Sequence, residues 1–291
     1  MQTLKRPDGH EAEDFHLTRR AVASLFFAGF APVAFSAEAE PIVTDDKGLI
    51  IEEVHYPSSG FDLPAYVARP AAAGRHPTIL VVNEVFGLHA YIKDICRRLA
   101  KLGYVAVAPA FFARAGDPAP LTDMAAIMKI VGATPDGQVM GDVGATLAWL
   151  KGRPYVAAKK LGITGFCWVG GVVWLACERF PELKAGVAWY GRMAPASGAT
   201  PVPGRLWPID GVKTLTAPVL GLYGAKDQLS AEAPAMRTAL AAAGKTDTEI
   251  VVYPDAGHGF HADYRATYVE ADAKDGWTRM LAHFRRFGVA A

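Results

Sequence analysis

The stretch LGITGFCWVGG, residues 161–171, decides how this chain is read. Its first six residues form a mainly apolar run of strand length, and residues 168–179 are patterned as a helix. Between them stands Cys167. A strand, a sharp turn and a helix together lift a nucleophile clear of the end of a sheet. Two further stretches supply what a nucleophile needs: GAKD at 224–227 offers Asp227, and DAGHG at 255–259 offers His258. The chain order is nucleophile, acid, base, and each of the three falls just past the C-terminal end of a predicted strand.

Working outward, apolar runs alternate with amphipathic segments from residue 49 onward. Residues 50–56 and 63–69 predict an opening pair of strands with Gly60 in the turn between them. Residues 78–82, 104–109, 161–166, 184–190, 219–223 and 249–253 predict further strands, and the continuous apolar runs among them suit strands buried on both faces. Helices are predicted over 89–102, 123–131, 136–151, 168–179, 231–243 and 273–287. The segment 193–211, rich in Pro and Gly and without periodicity, reads as a loop over the edge that carries the candidate site. Such alternation predicts an α/β protein, a mostly parallel sheet with helices on both faces. The order Cys, Asp, His is that of the α/β-hydrolase fold.

Composition sets limits. The chain has 291 residues, 51% of them apolar, enough for one large core. Its 30 Lys and Arg nearly balance 29 Asp and Glu, so no global field draws in nucleic acid or an anionic membrane. Thr18-Arg19-Arg20 precedes an uncharged stretch, 21–37, with small residues around Ala37 and Ala39 suited to a signal peptidase. The reading is a twin-arginine-type export signal over residues 1–39, engaging the twin-arginine machinery and leading to the periplasm. One domain, 40–291, follows. The uncharged stretch is short for a membrane span and Pro32 interrupts it, so no stable span is expected. Three cysteines, Cys96, Cys167 and Cys177, are an odd number without metal-type spacing, which speaks against a disulfide scaffold.

The chemistry follows from the residue types. Thiolate is the reactive form of cysteine. A helix start after Cys167 favours the anion, His258 can take the proton, and Asp227 can hold the imidazole in one tautomer and support its cation. His261 makes an H-x-x-H pair with His258, and Asp263 follows. A helical zinc motif spaces its histidines by four around a glutamate, so neither a metal nor any other cofactor is expected. Tyr190, at another strand end, is a candidate for lining the pocket.

NEVFG at 83–87, GFCW, GAKD and AGHGF together resemble the dienelactone hydrolase family of α/β hydrolases, over the chain from about residue 49 to its end. The resemblance implies a carboxylic-ester hydrolase that cleaves a small ester or lactone through a cysteine acyl-enzyme, with catalytic Cys167, His258 and Asp227. It also implies a fourth participant, Glu84, in contact with the resting thiol and gating its ionisation. The backbone N–H groups of Trp168 and Val85 are implied as the oxyanion hole, in keeping with donors at a helix start and a strand-end loop. Two positions depart from the family's pattern. Val169 stands where the elbow normally has glycine, which predicts crowding of the turn. Ala262 stands where an arginine binds the substrate carboxylate, which leaves Arg265, Arg192 and Arg114 as candidate substitutes. The alternatives are a broad carboxylesterase or thioesterase on the same scaffold, and a non-catalytic binding protein that kept the fold.

Overall fold

The computed structural model describes residues 41–167, 170–195 and 204–291. The predicted export segment lies outside them, as do Trp168 and Val169. In chain order the elements are β1 (Leu49–Ser58), β2 (Phe61–Pro70), β3 (His76–Val82), α1 (Ala90–Lys101), β4 (Val105–Pro109), α2 (Met124–Gly132) and α3 (Asp136–Lys151). There follow β5 (Val156–Phe166), α4 (Gly170–Arg179), β6 (Leu183–Trp189), α5 (Pro208–Gly211), β7 (Val219–Gly224), α6 (Ala233–Ala242), β8 (Glu249–Tyr253) and α7 (Glu270–Arg286).

The strands form one eight-stranded sheet in the order β1-β2-β4-β3-β5-β6-β7-β8. The β1–β2 and β2–β4 pairs are antiparallel, and every pair from β4 to β8 is parallel. The run Ile79 to Val82 in β3 and the run Val105 to Ala108 in β4 are at most 1% exposed, as continuous apolar strands between two helical layers must be. Those layers can be read from β6. A side chain at Gly186 would touch Val173 and Cys177 of α4, whereas the Trp189 ring lies against Gly276 of α7. Residues an odd number apart on a strand face opposite ways, so α4 and α7 cover opposite faces.

Two differences from the predicted elements have plain causes. Strand β5 begins five residues before the predicted run, at Val156; its first half, AAKK at 157–160, carries no strand pattern because it lies at the rim, where its side chains are half or fully exposed. The segment 193–211 is not loop throughout. It ends in the short helix α5, started by Pro208 at its first position.

Candidate active site

The C-terminal ends of β3, β5, β7 and β8 bring the site together. Cys167 follows β5 with φ 63°, a left-handed conformation that costs a non-glycine residue about 1–3 kcal/mol and is kept only where the surroundings enforce it. The enforcement is visible next door. A Cβ on Gly170 would stand 2.7 Å from the Gly191 Cα, and one on Gly191 would stand 2.3 Å from the Gly170 carbonyl carbon. The head of α4 and the turn after β6 therefore touch backbone to backbone. Of the two departures read in the sequence, Val169 lies outside the described residues, and the close approach is made by Gly170.

The acid and base are stitched to each other through backbone. Ala225 N–H donates to the Tyr253 carbonyl at 2.8 Å and Lys226 N–H to the Ala256 carbonyl at 2.9 Å, so the loop after β7 rides on the loop after β8. Asp227 caps the 3₁₀ turn Gln228–Glu232, its Oδ1 accepting the Leu229 N–H at 3.0 Å. That leaves Oδ2 2.8 Å from His258 Nδ1, and His258 Nε2 lies 3.2 Å from Cys167 Sγ. The imidazole side chain is 8% exposed and Asp227 is 1% exposed. Burial by itself would lower the His258 pKa. The adjacent sulfur and the hydrogen bonds that the imidazolium donates to Asp227 and Cys167 outweigh it and push the pKa up to about 10. The site is therefore built to favour imidazolium.

His261, three residues on, has the opposite environment. It lies 4.4 Å from the Trp189 ring, stacks on Trp277 and places Nδ1 2.6 Å from the Tyr91 hydroxyl. Burial, with Arg98 nearby, pulls its pKa down to about 3, and the ring stays neutral.

Glu84 follows β3 and is fully buried. Its neighbours differ from those the resemblance implies. Arg265 Nη2 donates to Oε1 at 3.0 Å, the Tyr264 hydroxyl donates to Oε2 at 2.5 Å, and His89 Nε2 lies 3.3 Å from Oε2. Burial favours the neutral acid, but the Arg265 charge, helped by His89 and Tyr264, holds the pKa down to about 2. The carboxylate is thus committed to a buried cation, and the Cys167 sulfur has His258 as its hydrogen-bonding neighbour. Val85, the next residue, is 2% exposed at the start of a turn closed by the Gly87 N–H on the Glu84 carbonyl.

The arginine candidates separate. Arg265 is 3% exposed and spent on Glu84. Arg114 donates twice to Asp142, at 2.7 and 2.9 Å, and to the Ser58 carbonyl at 2.7 Å, tying the β1–β2 hairpin to α3. Both are held by carboxylates of the chain itself. Arg192 stays beside the elbow, bordering a crevice with Gly171 and Arg205. Tyr190 is wholly buried with φ 41°, and its ring meets that of His258 edge to face at 5.2 Å, so it packs under the base. A cavity of about 320 Å³ borders Gly87, Leu88, Phe112 and Pro118, and no triad residue lines it.

Sequence reasoning missed Tyr264, His89 and Glu232. Tyr264 meets Glu84 from 180 residues away in the chain, whereas His89 meets it from the turn just after β3. Glu232 accepts the backbone N–H groups of Met193 and Ala194. None of these contacts follows a helical or strand period that a sequence displays.

Residues 63–288 match the sequence profile of the Dienelactone hydrolase family. The chain is 49% identical, over 94% of each sequence, to a protein of Methylorubrum extorquens named "Putative carboxymethylenebutenolidase". It is 46% identical to one of the same name from Salmonella typhimurium, covering 90% of this chain and 96% of the relative. A crystal structure from Klebsiella pneumoniae, described as a "Putative Dienelactone Hydrolase", superposes with a TM-score of 0.77 at 46% identity, covering 82% of this chain and 99% of that one.

Proposed function

This chain belongs to the dienelactone hydrolase family and is a hydrolase acting on ester or lactone bonds, and on that premise we propose that it works through a Cys167 acyl-enzyme with His258 and Asp227. The observation that carries the reading is Cys167 held at φ 63° at the end of β5 with its sulfur 3.2 Å from an imidazole that Asp227 supports. Sulfur attacks the carbonyl carbon. The oxyanion is met by the N–H groups of Val85 and Trp168, the latter outside the described residues. His258, as imidazolium, gives its proton to the departing alkoxide, which leaves a thioester on Cys167. His258 then takes a proton from water, whose oxygen attacks the thioester, and the carboxylic acid departs as Cys167 regains its negative charge.

The substrate is a small ester or lactone of dienelactone type. Ala262 is wholly buried, and the arginine candidates are each already paired, Arg265 with Glu84, Arg114 with Asp142 and Arg192 with Glu232, so a carboxylate on the substrate has to compete with one of these pairs. A panel of aryl esters, lactones and acyl thioesters, with Cys167→Ala as control, tests the reading. Wild-type turnover with an acyl adduct on Cys167 by intact mass supports it. Hydrolysis undiminished in the Cys167→Ala protein ends it, and a thioester preference over lactones moves the substrate to the broader esterase class.

We also propose export to the periplasm through the twin-arginine machinery, supported by Thr18-Arg19-Arg20 and the uncharged stretch after it. Among the described residues no helix is long and apolar enough to cross a membrane. Protein recovered from an exporting host should begin between Ala37 and Glu40; a soluble cytoplasmic species that retains Met1 defeats the proposal.

A further inference from the structure

The 3₁₀ turn that Asp227 caps ends at Glu232, whose side chain is 9% exposed. Glu232 Oε2 accepts the N–H of Met193 at 2.6 Å and that of Ala194 at 2.9 Å, and Oε1 lies 3.4 Å from Arg192 Nη1. Those residues continue directly from Tyr190, at φ 41°, and from Gly191, the residue on which the head of α4 rests. A side chain on Gly171 would in turn stand 2.9 Å from the Arg192 carbonyl oxygen. One five-residue turn and its cap thus hold two carboxylates that face different parts of the site. Asp227 aims at the base, and Glu232 aims at the backbone beneath the nucleophile.

We propose that Glu232 is a positioning residue: by holding the turn 191–194 against the head of α4 it sets the separation between Cys167 Sγ and His258 Nε2. Buried N–H groups deprived of an acceptor drive a turn to rearrange. Here no side chain cushions the Gly170–Gly191 contact, so a displacement of the turn passes straight to the elbow. Nucleophilic attack is sensitive to displacements of about an ångström.

The proposal rests on the Cys167 reading of the function. Its test compares Glu232→Ala and Glu232→Gln with wild type and Cys167→Ala. Two quantities are measured: kcat and KM on an aryl ester, and the pH dependence of Cys167 alkylation by iodoacetamide. Glu232→Ala should lower kcat roughly 100-fold with a much smaller change in KM. Its alkylation profile should move toward that of an ordinary thiol. Glu232→Gln keeps an oxygen for the two N–H groups and should restore most of both. If the alanine protein does not fold, Glu232→Asp, whose shorter carboxylate cannot reach both donors, carries the same expectation. A Glu232→Ala protein with wild-type kcat and an unmoved alkylation profile, alongside an inactive Cys167→Ala, overturns the positioning role alone. An active Cys167→Ala overturns the nucleophile instead, and the alkylation profile still judges Glu232.

Discussion

A cysteine stands near each end of helix α4, Cys167 before it and Cys177 in its last turn, and the two ends treat ionisable groups in opposite ways. At the head, Cys167 is 1% exposed with an imidazole 3.2 Å from its sulfur. Near the tail, Cys177 is 0% exposed, has no such partner among the described residues, and burial pushes its pKa far up. The carboxylates repeat the pattern. Close to the head, Glu84 is fully buried against Arg265 and its pKa is held down to about 2. Near the tail, Glu178 has a buried Oε1 without a hydrogen-bond partner among the described residues, and burial with the Asp210 charge pushes its pKa up to about 8. Three of the four groups are fully buried and Glu178 is half-buried. What differs is whether the fold supplies an opposite charge, and for the two carboxylates that decides which stays ionised.

The largest effect that can break this comparison is loss of the head cysteine. Cys167→Ala should reduce ester turnover by about three orders of magnitude or more, while Cys177→Ala should cost stability of about 1 kcal/mol and leave kcat near wild type. Comparable losses of turnover in both would mean that α4 matters only as packing.

Asp227→Asn comes next. It keeps a hydrogen-bonding oxygen near His258 but removes the charge that supports imidazolium, so kcat should fall about 100-fold. Alkylation of Cys167 at neutral pH should slow with it, and Cys177 should stay unlabelled in both proteins. Unchanged alkylation would show that the sulfur, and not Asp227, sustains the His258 cation.

Glu84→Gln should destabilise the fold by about 3–5 kcal/mol at neutral pH, since it leaves Arg265 buried without its counter-charge. The sign with pH follows from the depressed acid. The advantage of wild type is complete above the unfolded value of 4.5 and disappears as pH falls towards about 2. Chemical denaturation of both proteins across that range measures it. A gap that widens in acid contradicts the ion pair.

The smallest effect on turnover belongs to the tail. The raised Glu178 pKa means that the unfolded chain ionises first, so wild type should lose stability as pH rises from 4.5 towards about 8. Glu178→Gln should show a flatter Tm over the same interval and unchanged turnover. Identical Tm profiles would place Glu178 in solvent and remove the contrast between the two ends.

The amino-acid sequence by itself determined the element order, the alternation that yields a mostly parallel sheet, and the placing of Cys167, Asp227 and His258 past strand ends. These are properties of local patterning: apolar runs, helix stops and tight turns express themselves over a few residues. Even there, the first half of β5 escaped notice because AAKK at the rim buries too little to show a period. Only the tertiary structure decided the partners. Arg265 looked like a ligand for substrate and is the counter-charge of Glu84; Arg114 clamps a hairpin; Glu84 faces a cation where the resemblance implied a thiol. Tyr264 and Glu232 showed no signal at all. Glu84 and Tyr264 lie 180 residues apart in the chain, and Met193 and Glu232 lie 39 apart. Such pairs are set by where strands end in space, and the electrostatic state of a buried group depends on its neighbours in space, which no local pattern records.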